Sequence, residues 1–290
     1  MKFKIIDFLY KLFHLIFELL YILLKNFPAY RFKIQLNAEN TSSKMVVLAN
    51  GPSLQEDINE FQPRDNQYTF FAVNYFATTP LFKIYKPKHY VIIDSLMFSK
   101  SFNDTRVSVK TEELFNVFIN DIYWPISLYL PTNVYKDKDI VNKFSTNSKV
   151  TVYSFNSQMS NTFESIRNLL FRFNIAAPVT NNVASAGIYL SILLGFKTIY
   201  ITGVDHSWVK SIFVNDKNQV CIKDDHFFNP NVVPTPWLKS NGELFKMSEI
   251  LFAFSTMFKS YEILRLFADK ADVVIINKTK NSFIDAFKRE

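Results

Sequence analysis

The hydrophobic pattern of this chain changes period near residue 28. In residues 1–27 the polar positions Asp7, Lys11, His14, Glu18, Tyr21 and Lys25 recur at intervals of four, three, four, three and four, and nearly everything between them is Leu, Ile, Phe or Tyr. That spacing lays them along one stripe of a helix. Residues 28–43 read as a linker. Short apolar runs follow, each closed by a polar residue: 45–49 ends at Asn50-Gly51-Pro52, 68–73 at Asn74 and 89–93 at Asp94. Runs of this kind predict buried parallel strands whose carboxyl ends carry a site. Residues 122–130 and 149–155 predict further strands, and 161–173 a helix. The rest of 100–148 has no clean period.

Later in the chain, residues 185–194 predict an apolar helix that Gly195 stops, because glycine adopts positive φ without strain. Residues 197–202 predict a strand with Gly203-Val204-Asp205-His206 at its carboxyl end. A hairpin is expected over 212–222, then an irregular, Pro-containing stretch over 224–236. Its length suggests a loop or lid around 209–240. A helix over 247–268, a strand over 272–276 and a helix over 282–287 complete the chain, with no internal repeat. Together these predict an α/β fold: a Rossmann-like, mostly parallel sheet flanked by helices in residues 44–290, preceded by the N-terminal helix and its linker.

The first turn carries the strongest local signal. Ser53 and Glu56 have the S-x-x-E spacing of a capping box. Strand, tight turn and helix start therefore follow one another, and backbone N–H groups at such a start suit a phosphate. Neither G-x-G-x-x-G nor a P-loop is present.

Composition supports a folded body: 48% of the 290 residues are hydrophobic and 17% aromatic. Only five are glycine, so each one answers a backbone demand. The net charge of +7 is uneven. Lys2, Lys4, Lys11, Lys25, Arg31 and Lys33 against Asp7 and Glu18 give residues 1–33 a charge of +4, leaving +3 for the rest. This balance points to a membrane surface and away from nucleic acid. Fourteen Leu, Ile or Phe in residues 5–24 favour insertion by about 6 kcal/mol, and the interspersed charges offset it at roughly 2.5–3.5 kcal/mol each. A membrane-associating amphipathic helix lying in the interface is then as well supported as a spanning one. The length of the apolar stretch, the charges within it and its lack of a small-residue cleavage site argue against a cleavable signal. The single cysteine, Cys221, excludes an internal disulfide.

Histidine limits the candidate chemistry. His14 belongs to the helical stripe and His89 begins a strand. That leaves His206 beside Asp205, and His226 beside Asp224 and Asp225, as general-base candidates oriented by carboxylates. Asp205, His206, Asp225 and His226 contain metal-ligand types, but their spacing matches no metal motif. Asp137-Lys138-Asp139 is a D-x-D inside a Lys-rich run, which favours a solvated surface. No G-x-S-x-G elbow is present.

Residues 49–54 (Ala-Asn-Gly-Pro-Ser-Leu) after the first strand, together with 194–196 (Leu-Gly-Phe) and 199–205 (Ile-Tyr-Ile-Thr-Gly-Val-Asp), resemble the bacterial sialyltransferases of glycosyltransferase family 42. Their relatives, the motility accessory factors and the 6-hydroxymethylpterin diphosphokinase-like proteins, share the same motif pair. The resemblance runs from about residue 44 to 287. It implies that Asn50, Gly51, Pro52 and Ser53 contact the nucleotide and phosphate of a CMP-activated sugar. Asn74 and Asp94 would line that pocket, Ser185 would sit near the donor, and His226 would be the base, with no metal or other cofactor. Three departures accompany it. His206-Ser207-Trp208 stands where the sialyltransferases carry a Tyr, their Arg before the Ser-containing helix is missing near Asn181 and Asn182, and the apolar segment is N-terminal instead of C-terminal. Asp205 and His206 therefore stay candidates for the catalytic role.

The function implied is a glycosyltransferase on the cytoplasmic face of a membrane. It would transfer a sugar, sialic acid or another nonulosonic acid, from a nucleotide-sugar to a glycan or lipid-linked acceptor. An ATP- and Mg²⁺-dependent pterin diphosphokinase-like enzyme and a non-catalytic membrane-bound scaffold of a polysaccharide assembly are the alternatives. A homo-oligomer stays open.

Overall fold

The computed structural model describes residues 2–25, 43–98, 105–179, 182–222, 235–239 and 242–290. Helix α1 (Lys2–Lys25) precedes the body. Strands β1 (Lys44–Leu48), β2 (Tyr68–Val73), β3 (His89–Val91), β4 (Ile126–Pro131), β5 (Val150–Phe155) and β6 (Thr198–Thr202) follow. Three short strands, β7 (Ile212–Val214), β8 (Val220–Ile222) and β9 (Thr235–Pro236), form a separate antiparallel sheet. Strands β10 (Val274–Asn277) and β11 (Lys288–Arg289) then rejoin the main sheet. Its order is β11-β10-β6-β1-β2-β3-β4-β5, and every neighbouring pair is parallel. The chain builds outward from β1 to β5, crosses back to lay β6 on the other side of β1, and continues outward. Strand order thus reverses between β1 and β6.

Helices on both faces explain why the central strands are apolar throughout. They are α2 (Leu54–Asp57), α3 (Leu81–Tyr85), α4 (Thr105–Asn116), α5 (Thr132–Tyr135), α6 (Lys138–Ser145), α7 (Glu164–Arg172), α8 (Val183–Leu193) and α9 (Met247–Lys270). Met45 and Val47 of β1 pack with Ala186 and Leu190 of α8 and Tyr261 and Leu264 of α9. Val46 and Leu48 face the opposite layer, with Phe76, Phe82 and Phe118. Burying such a side chain contributes roughly 1.5–3 kcal/mol. Helix α8 has no polar face, since every residue from Ala184 to Ile192 is buried. A Cβ at Gly187 would lie 3.1 Å from Val47 Cγ1, so this helix sits directly on β1.

The expected hairpin over 212–222 forms, with Asn218 at φ +56°. Residues 282–287 do not form the expected helix. Ser282 Oγ donates to Val204 O (2.7 Å) and Phe283 N to Asp205 O (3.0 Å), which holds this stretch against the end of β6 and leads into β11. The capping box also fails to form. Ser53 has helical backbone angles and no side-chain cap bond, and Glu56 pairs with Lys280 at 3.0 Å. Asp137 of the D-x-D is the N-cap of α6, accepting from Asp139 N (3.0 Å) and Ile140 N (3.4 Å).

Candidate active site at the sheet switch point

In open parallel sheets, ligands bind outside the carboxyl ends of the strands where the order reverses. Here that point lies between the turn after β1 and the turn after β6. The two turns extend the strand pairing: Ala49 N donates to Thr202 O (3.0 Å) and Gly51 N to Gly203 O (2.8 Å). A Cβ on Gly51 would stand 1.9 Å from Asp205 Oδ2 and 2.5 Å from Gly203 O, so only glycine fits. Gly203 has φ +64°, and a Cβ there would meet Leu54 Cβ at 2.9 Å. Each turn therefore requires the glycine of the other.

Asp205, 8% exposed, lies across the start of α2. Its carboxylate accepts from Ser53 N (3.3 and 3.4 Å), and its Oδ2 lies 3.0 Å from Ser53 Oγ. The same hydroxyl lies 2.7 Å from Asp57 Oδ2, and Asp57 also accepts from Gly203 N (3.4 Å) and Lys280 N (3.3 Å). A serine has one hydroxyl proton and two lone pairs. Donation to one carboxylate leaves Ser53 able only to accept from the other, which suits a protonated partner. Burial pushes the Asp205 carboxyl up to about 6; the Ser53 bonds oppose that rise and the Asp57 charge adds to it. The backbone N–H at Ser53, read from sequence as a phosphate donor, is thus filled by the chain's own carboxylate. Ser53 acts on Asp205, and the phosphate role expected of it has no free N–H behind it.

Asn50 behaves differently. Its Nδ2 donates to Val73 O (3.1 Å), which fixes the amide, while its buried Oδ1 has no hydrogen-bond partner among the described residues. A buried acceptor left unpaired costs about 1–3 kcal/mol, so a donor on a ligand would be favoured there. Next along the rim, Asn74 ends β2 at φ +42° and accepts from Ile93 N at Oδ1 (3.3 Å). Its carbonyl accepts from the Tyr90 hydroxyl. Asp94 follows β3, half-buried, with its carbonyl accepting from Met97 N (3.2 Å). Ser185 is fully buried, and its hydroxyl donates to Asn182 O (2.7 Å), so it presents no free group.

His206, at φ +53°, joins a network at the start of α8. Asn182 caps that helix through Ala184 N (2.9 Å) and directs Nδ2 to the Tyr261 hydroxyl. His206 Nε2 lies 2.9 Å from that hydroxyl and 3.3 Å from Asn182 Nδ2. An amide N–H₂ only donates, so Nε2 is the acceptor and the ring proton sits on Nδ1. Burial lowers the ring to about 4, which keeps it neutral. As packed, its lone pair is engaged by Tyr261 instead of being open as a base. His226, with Asp224 and Asp225, lies outside the described residues, as does most of the linker.

Asp57, Asn182 and Tyr261 were missed from sequence. An Asn before an apolar helix is a cap signal, and Ser53 and Asp57 sit one turn apart. Tyr261 gives no local sign within α9. No group of three or more His, Cys, Asp or Glu among the described residues could hold a metal. Comparison with family models, with curated proteins and with solved structures finds no match to this chain.

Proposed function

We propose that the switch-point crevice binds a nucleotide-sugar and that the chain is a metal-independent glycosyltransferase. The observation that carries this reading is the unpaired, buried Oδ1 of Asn50 at the end of β1. An acceptor calls for a ligand donor, such as a ribose hydroxyl or the amino group of a cytosine, and not for a phosphate oxygen. The resemblance of the Asn50 and Asp205 motifs to those of the sialyltransferases is what favours CMP as the nucleotide. Asn74 and Asp94, on the next two strand ends, extend the same rim.

In this mechanism an acceptor hydroxyl on a glycan or lipid-linked sugar attacks the anomeric carbon. The bond to the phosphate oxygen breaks, CMP leaves with the bonding electrons, and the hydroxyl proton passes to His226. His206 is held by Tyr261 and Asn182, and Asp205 maintains the turn. The test is a thermal-shift panel of CMP, UDP, GDP and ATP with and without Mg²⁺. A ligand at 100 times its Kd stabilises by about 2.7 kcal/mol. CMP is expected to raise Tm without Mg²⁺. A shift with ATP–Mg²⁺ and none with CMP would replace this reading with a phosphotransferase. No shift with any nucleotide would favour a scaffold. His226→Ala is expected to abolish transfer while leaving CMP binding unchanged.

A further inference from the structure

Helix α1 is attached to the body by its polar stripe. Glu18 accepts from Ser160 Oγ (2.5 Å) and from Asn161 N (2.8 Å), and Thr162 Oγ1 donates to Lys11 O (3.5 Å). Phe8 also packs on Phe163, ring centroids 5.4 Å apart. Ser160 and Thr162 are each 1% exposed, so the latch reaches buried groups. Lys11, His14, Leu15 and Glu18 are half-buried along this contact.

The remaining circumference is apolar and uncovered. Ile6, Leu9, Phe13, Ile16, Phe17 and Leu20 are 50–61% exposed. At 100° per residue, the exposed apolar positions clear of the body, from Leu12 round to Tyr10, sweep about 160° of arc. A globular helix turns its apolar face to the core; here the polar face is turned inward. No described helix is long and apolar enough to cross a membrane.

We propose that α1 lies in the plane of an anionic lipid bilayer, its apolar arc among the acyl chains and the body carried on its polar stripe. Two observations favour lipid over a second copy of the chain. Packing against one partner helix covers a narrow seam, whereas the exposed arc takes up nearly half the circumference, as in a helix sunk into an interface. The segment is also basic, +4 over residues 1–33, which attracts an anionic surface and repels its own copy. This inference stands apart from the nucleotide reading.

The test is flotation of the full chain with phosphatidylcholine vesicles, with and without phosphatidylglycerol. The protein is expected to float with the anionic vesicles, less with neutral ones, and less at high salt. Phe13→Glu with Ile16→Glu, both on the exposed arc, is expected to lower the bound fraction at least tenfold with unfolding of the body unchanged. Absence of flotation, or equal flotation of the double variant, would overturn the proposal. So would a lipid-free dimer that the same substitutions dissociate, since the second copy would then be the occupant. The assay does not read nucleotide binding, so its failure leaves the crevice untouched, and a failed nucleotide panel leaves the anchor untouched.

Discussion

The Ser53 hydroxyl stands between two carboxylates, and pH acts on that arrangement directly. A carboxyl raised from 3.8 to about 6 binds more protons folded than unfolded between those values. Its contribution therefore makes stability fall as pH rises through that window, by at most on the order of 3 kcal/mol before solvent screening reduces it. Asp205→Asn removes the titration. Its Tm relative to wild type is expected to climb between pH 4 and 7 and then level off. A flat difference would mean an ordinary carboxylate. Gly51→Ala acts on the same contact sterically. With Asp205 Oδ2 1.9 Å and Gly203 O 2.5 Å from the new Cβ, denaturant unfolding should show a loss of about 1–3 kcal/mol, larger than for a typical exposed substitution. These residue-scale contacts were only half legible in sequence. Residue type showed that Asn50, Gly51 and Asp205 mark turns. That Asp205 would occupy the N–H of Ser53 depends on a packing between residues 152 positions apart.

At the scale of elements, sequence reading succeeded where burial decided the outcome. The runs that became β1, β2, β3 and β6 are apolar because helices cover both faces, and their polar ends are the strand ends. It failed where a few long-range hydrogen bonds decided it. Residues 282–287 have a helical pattern, yet Ser282 and Phe283 bond to the β6 turn and the stretch takes an irregular course. Residues 105–145 divide into α4, strand β4 and the short helices α5 and α6, so their apolar residues do not sustain one period. The D-x-D, read from sequence as part of a solvated Lys-rich run, has a local use in the structure: Asp137 caps α6. Asp137→Ala should cost about 1 kcal/mol in thermal unfolding, with no change in CMP binding or in its response to EDTA. Lost CMP binding in a folded variant would return this motif to the site.

Across the whole molecule, one parallel sheet reverses order between β1 and β6, and the resemblance-bearing motifs fall on the two strands flanking that reversal. Sequence reading could propose the two motifs as walls of one crevice; strand order puts them side by side. It could not anticipate that the wall nearest Ser53 is closed by Asp205, nor that Asn50 retains an unpaired acceptor. The most direct test is calorimetric titration of CMP into the wild-type chain and into Asn50→Ala. That variant removes one hydrogen bond and one unpaired acceptor, so its unfolding should be little altered. The account predicts CMP binding without Mg²⁺ that weakens roughly tenfold or more in the variant, the loss expected for one buried hydrogen bond. Equal CMP affinity in both, or no CMP binding by the wild type, would contradict it.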